Sequence, residues 1–137
     1  MKAQFIGIAL VALMGCGCTL NLESLSRIEG RYFKPWGGEG VTRPVRVDTS
    51  NEALVNVFRL ELEKAELKKP FFGYSKDENP SLDFMFKGKL HFASGLTHKI
   101  EIFNNGDAIV DTDEEFYLSK KKLDTKAVRD FLELLAE

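Results

Sequence analysis

Between residues 82 and 92 the apolar side chains Leu82, Phe84, Phe86, Leu90 and Phe92 alternate with Asp83, Lys87, Lys89 and His91. Ile100 and Ile102 resume the pattern after the loop ASGLT. A period of two predicts strands with one buried face. Next comes FNNGDA, in which Asn105-Gly106 predicts a two-residue hairpin turn, because both turn positions need positive φ. Counting outward from that turn opposes Asn104 to Asp107 and Ile102 to Ile109, so the two isoleucines would share a face. Phe116-Tyr117-Leu118 reads as a further short strand. Upstream, strands are expected around Arg31–Lys34 and Val41–Val47. Between them PWGGEG, with Pro35 and three glycines, marks a loop.

The pattern changes over residues 48–69. Leu54, Val55, Val57, Phe58, Leu62 and Ala65 fall within one arc of about 160° at helical spacing, while Leu60 and Leu67 fall outside it. Thr49 and Glu52 match a capping box, in which each satisfies the other's backbone donor at a helix start. The strand alternative uses FRLEL, where Phe58, Leu60 and Leu62 alternate with charges. Helix is the better fit. At the C-terminus, Asp124 or Thr125 caps a second helix whose Val128, Phe131, Leu132 and Leu135 form an i, i+3, i+4, i+7 stripe. The predicted class is α+β: an antiparallel meander of four or five strands with one or two helices on its apolar face.

The first residues follow another logic. Lys2 precedes FIGIALVALMG, residues 5–15, which carry no charge and no polar side chain. A basic start and a short apolar run describe a secretory signal peptide. The run falls short of the roughly 20 apolar residues that a membrane-spanning helix needs. Leu13-Met14-Gly15-Cys16 resembles the lipobox of bacterial lipoproteins, with an aliphatic residue at −3, a small residue at −1 and the cysteine that becomes the new N-terminus. Met14 departs from the small or hydroxyl residue usual at −2. The resemblance covers residues 1–16 only. It implies cleavage before Cys16, a diacylglycerol on the Cys16 sulfur and a palmitate-type acyl chain on its amine. More than one chain is what stable anchoring requires. Gly17 is not the aspartate associated with inner-membrane retention in enteric bacteria, so the resemblance implies the outer membrane, facing the periplasm.

Other roles for the two cysteines fit less well. A disulfide between Cys16 and Cys18 would close a strained ring. A zinc site usually takes four ligands, and only His91 and His98 could join them. A thioredoxin-like pair is Cys-x-x-Cys, which this is not.

Cleavage ahead of Cys16 would leave 122 of the 137 residues, enough for one domain. The expected organisation is a signal peptide over 1–15, a lipid-anchored tether over 16–25 and one domain over 26–137. Residues 17–25 would reach at most about 30 Å. The 11 phenylalanines, against 1 tryptophan and 3 tyrosines, point to an apolar interior. The formal charge of −2 argues against a nucleic-acid partner, which calls for a basic face.

No catalytic constellation stands out. Holding Leu90, Phe92, Ile100 and Ile102 on one face sends His91 and His98 to opposite faces, so no shared metal site is expected. No G-x-S-x-G elbow occurs. DTDEE, Asp111–Glu115, spaces acids like the start of a calcium loop, but Phe116 and Lys122 stand where Gly and Glu belong. GGEG lacks the Gly-Lys-Ser/Thr ending of a phosphate loop. SKKK, Ser119–Lys122, reads as a solvated strand end. Trp36, with Tyr32 and Phe33 nearby, is the candidate binding loop, since Trp and Tyr dominate interface hot spots; the alternative packs Trp36 over one end of the core. No cofactor and no metal are expected. The reading is a non-enzymatic, lipid-anchored envelope protein that binds or supports another envelope component, through a face of its sheet or the Trp36 loop. A ligand-binding or inhibitor module with an apolar pocket between helix and sheet is the second reading, and an envelope hydrolase the third.

Overall fold

The structure, a computed structural model, describes residues 18–38, 40–70 and 83–136. The expected signal peptide, Cys16 and Leu82 lie outside these residues. The described strands are β1 (Leu25–Pro35), β2 (Thr42–Thr49), β3 (Leu67–Lys68), β4 (Phe84–Phe92), β5 (Thr97–Phe103), β6 (Ala108–Asp111) and β7 (Phe116–Ser119). The helices are α1 (Glu52–Lys64) and α2 (Thr125–Ala136). The fold is α+β, as predicted, but the strands form one seven-stranded antiparallel sheet instead of four or five, in the order β2-β1-β4-β5-β6-β7-β3. The extra width has two sources. The β1–β2 hairpin joins the meander through β1 and β4, and β3 is a two-residue strand inside the stretch read as helix.

The core lies between one face of the sheet and the two helices. Ile28 and Tyr32 of β1, Val47 of β2, Phe86 and Leu90 of β4, Ile100 and Ile102 of β5 and Val110 of β6 are all buried there. Val55, Phe58 and Leu62 of α1 and Val128, Phe131 and Leu132 of α2 close over them. The Phe58 ring meets Phe86 edge-on, with centroids 6.1 Å apart, and lies 5.3 Å from Phe131. It thus joins the sheet to both helices. Burying such a ring removes roughly 150–250 Å² from water.

Two glycines make room for this packing. Gly30 and Gly88 stand opposite each other on β1 and β4, on the core face. A Cβ on Gly88 would sit 2.1 Å from the Glu29 carbonyl oxygen and 2.5 Å from Phe86 Cζ. A Cβ on Gly30 would sit 2.4 Å from the Lys87 carbonyl oxygen. The Phe86 ring therefore lies across two strands where ordinary residues would hold it off.

The caps and turns refine the predicted boundaries. Asn51, not Thr49, is the N-cap of α1: its side chain accepts the Leu54 N–H, while the Thr49 hydroxyl accepts the Asn51 N–H. Asp124 accepts the Ala127 N–H at the start of α2. Glu66, at φ 54°, turns the chain out of α1 into β3. The Asn105-Gly106 hairpin holds three loop residues instead of two. The Phe103 N–H donates to the Asp107 carbonyl and Gly106 takes φ 96°. This is the type I turn with a glycine bulge. The extra residue shifts the register by one, so Ile102 opposes Ala108, and Ile109 opposes Glu101 on the other face.

The stretch expected as a tether is attached to the domain from Cys18 onward. The Lys69 N–H donates to the Cys18 carbonyl, the Leu20 N–H donates to the Leu67 carbonyl, and Leu22 and Leu25 are buried. Residues 18–20 thus line the outer side of β3.

Two tests follow from this packing. Gly88→Ala should destabilise by roughly 1–3 kcal/mol, the cost of overpacking against backbone that cannot yield. Gly38→Ala, whose Cβ would meet Val41 at 3.6 Å, should change stability by less than about 0.5 kcal/mol. Urea denaturation of both variants measures this. The second test uses Tyr32, fully buried, whose hydroxyl donates to Glu133 of α2 at 2.7 Å. Burial, and then the Glu133 bond, push its pKa up. A raised folded pKa gives stability that is complete below the ordinary tyrosine value of about 10 and is lost as pH rises beyond it. Tyr32→Phe should cost about 1 kcal/mol at neutral pH and flatten the alkaline decline in melting temperature. Tyr117, also raised by burial beside Glu115, keeps part of the decline.

Candidate functional site

From Arg27 to Phe33 in β1 and from Lys87 to His91 in β4, past the irregularities that turn Leu25 and Met85 into the core, odd positions point away from the helices, and the pairing aligns them with even positions of β2 and odd positions of β5. One row across the sheet reads Arg46, Arg31, Lys87, Glu101. The next reads Asp48, Glu29, Lys89, Lys99. Arg46 faces Arg31, Arg31 faces Lys87, and Lys89 faces Lys99. Like charges directly opposite one another destabilise a sheet. Asp48 also faces Glu29, but Arg27 bridges these two acids; the three cationic pairs on four adjacent strands are a local conflict of the kind that marks functional surfaces.

The acids nearby are mostly engaged elsewhere. Asp48 accepts two bonds from the Arg27 guanidinium, at 2.9 and 2.7 Å. Glu29 meets His91 Nε2 at 2.7 Å and Arg27 at 3.3 Å. The Arg27 bonds hold the Asp48 carboxyl below its ordinary range, and the His91 bond does the same for Glu29. Arg46 is peripheral to both acids, at 3.9–4.0 Å. Lys87 lies over the Phe84 ring, 3.9 Å from its centroid, and 3.9 Å from Glu101. Arg31, Lys89 and Lys99 form no ion pair with any described residue. All three side chains are exposed.

Between the two rows runs an open groove of about 1040 Å³. Its floor is the backbone of Gly30, Gly88 and Ile100; Arg31, Arg46 and Lys87 stand on one side and Lys89 and Lys99 on the other. Glu29 and Glu101 also line it, and Phe33 and Pro44 form an apolar flank beyond Arg31 and Arg46. Five cations against two acids give it a positive balance within a chain of net charge −2. The groove lies on the face away from the helices. The space between helices and sheet is occupied by Tyr32, Phe58, Phe86 and Phe131.

The predicted binding loop is only partly assembled. Trp36 is 54 % exposed, with the Arg43 guanidinium 5.0 Å from its ring centroid. Phe33 is half-buried on the groove face, tilted against Phe84 at 6.4 Å. Tyr32 points the other way into the core, so it does not join Trp36 or Phe33. His91 and His98 lie on opposite faces, with His98 packed on Phe92 at 4.9 Å. In the order Glu29–His91–Thr97, with the Thr97 hydroxyl 3.2 Å from His91 Nδ1, carboxylate, imidazole and hydroxyl line up. Glu29 is shared with Arg27, however, and neither His91 nor Thr97 lines the groove. Of the DTDEE acids, Asp111 accepts the Asp113 N–H and Glu115 pairs with Lys69 at 2.8 Å. Among the described residues no cluster of three or more His, Cys, Asp or Glu is placed to hold a metal, and no helix is long and apolar enough to cross a membrane. In SKKK, Lys121 pairs with Glu66 and Lys122 with Asp107, both at 2.7 Å.

Reading the sequence alone missed the cation rows. Each cation was visible as an outward position of an alternating strand. Their convergence depends on β1 lying beside β4, a pairing that joins segments some 60 residues apart.

If the rows cost stability, removing one charge should restore some. Arg31→Thr should raise stability by roughly 0.2–1 kcal/mol, because Arg31 faces a cation on either side. The gain should shrink as salt screens the pairs. Denaturant midpoints at low and high ionic strength check both statements. Comparison with protein-family models, curated proteins and solved structures finds no match to this chain.

Proposed function

We propose that this chain is a small, non-enzymatic, lipid-anchored protein of the cell envelope that holds another envelope component on the groove face of its sheet. The observation that supports the reading best is the set of like-charged cross-strand pairs around the groove. A surface kept at a cost in stability, with three cations that form no ion pair with any described residue, fits binding better than it fits a scaffold. Phe33, on the flank of the groove, and the exposed Trp36, three residues on, supply the apolar contact common in interfaces.

The attachment point agrees with this use. With lipid on Cys16, only Gly17 separates the anchor from Cys18, a distance of at most about 7 Å. Cys18 lies on the outer side of β3, so that edge would rest close to the bilayer. From β3 to β4 the path across the sheet is about 19 Å at ordinary strand spacing. The groove would then look onto the compartment beyond the headgroups.

Fractionation and intact mass test the anchor. The wild-type protein should extract with membranes, with a mass equal to the chain from Cys16 plus its lipids, and Cys16→Ser should leave the membrane fraction. An unmodified mass with unchanged membrane association would sink the anchored reading. For the face, a photo-crosslinking residue at position 89 should trap a discrete species in intact cells, and one at Glu52 on α1 should not. Equal labelling at both positions would count against the groove.

A further inference from the structure

We infer that the groove takes an extended, acidic protein segment in which carboxylates alternate with apolar side chains, a deepening that rests on the groove face being the binding surface. The shape of the charge distribution argues for a narrow occupant. The cations follow a path from Arg46 through Arg31 to Lys87 and Lys89 and on to Lys99. Acids flank the path: Asp48 and Glu29 at one end of the second row, Asp111 of β6 beyond Lys99 at its other end, and Glu101 at the far end of the first. A flat anionic surface such as a membrane would press on those acids together with the cations. A single chain lying along the path meets the cations and avoids most of the acids. Four strands span about 14 Å, the length of roughly four extended residues.

Backbone pairing cannot supply the recognition, because β1, β4 and β5 are interior strands whose backbone groups are already used on both sides. Side chains must do it. Arginine suits bidentate capture of carboxylates, and Arg31 has no such partner among the described residues. Beside the cations lies an apolar flank of Phe33, Pro44 and Phe84, with Phe84 stacked on Phe103 at 4.9 Å. In an extended peptide successive side chains point to opposite sides. Alternating acidic and apolar residues therefore place carboxylates on the cations and apolar groups toward the flank. An anionic glycan would satisfy the cations and leave the flank without a partner.

The test uses the purified full chain in neutral detergent and four probes: a labelled peptide of about eight residues alternating Glu and Val, an oligoglutamate of equal charge, a sulfated oligosaccharide of equal charge, and phosphatidylglycerol vesicles. The alternating peptide should bind most tightly, and more weakly as salt rises. The triple variant Arg31→Gln, Lys89→Gln, Lys99→Gln should lose about tenfold in affinity while melting no lower than wild type. Phe33→Ala should abolish the preference for the alternating peptide over oligoglutamate. Tighter binding of oligosaccharide or vesicles, unchanged affinity in a folded triple variant, or no binding of any probe would overturn the assignment. If it fails while position 89 still crosslinks in cells, the groove remains a binding face with another occupant. If position 89 traps nothing, the binding face itself is withdrawn.

Discussion

Two missing Cβ atoms set the geometry of this sheet. Gly30 and Gly88 oppose each other at the junction of β1 with β4, the pairing that fuses the N-terminal hairpin to the meander. Any side chain there would collide with backbone at 2.1–2.4 Å. The space is filled by Phe86 instead, an aromatic ring laid over paired glycines, which restores the contacts that glycine forgoes in a strand. Phe86 in turn receives Phe58 of α1, and Phe58 meets Phe131 of α2. One ring stack thus couples strand pairing to helix docking. The Tyr32 bond to Glu133 adds a polar tie between β1 and α2.

The same junction shapes the opposite face. Gly30, Gly88 and Ile100 are all inward positions, so the floor between the two charged rows is bare backbone, and the rows become walls. The pairing that buries Phe86 is also the pairing that sets Arg31 beside Lys87. Core and groove are therefore two consequences of one register. Shifting β1 by one residue would exchange the faces and bury the charges. The strength of the core fixes the cation rows in place despite their mutual repulsion, which exposed side chains and salt keep modest.

Much of this architecture was legible in the sequence. Alternation over 84–102 placed His91 and His98 on opposite faces, and helical spacing located both helices, because each signal is local. The failures are equally physical. The FNNGDA loop was misjudged by one residue, since Asn-Gly serves a two-residue turn or the end of a three-residue one, and that residue moved Ile109 to the other face. The two-residue β3 has no period to detect. Tyr32 and Phe33 are neighbours in sequence, and strand geometry sends them to opposite sides. The groove lay furthest beyond reach. Its cations come from β1, β2, β4 and β5, and only a long-range pairing brings them together.

The edges of the sheet complete the argument for a directional molecule. An unpaired strand edge invites association with other chains. At β2 the exposed edge carries Arg43, Pro44 and Arg46, which resist such pairing through charge and a missing N–H. At β3 residues 18–20 bond along the strand and cover it. The covering segment is the one that would emerge from the proposed anchor, so attachment to a membrane and protection of the sheet edge would fall to the same residues. Among the described residues, one edge is blocked by charge, the other is occupied and one face lies under helices, so the groove around Gly30 and Gly88 is where the proposed partner would meet the sheet, through side chains alone.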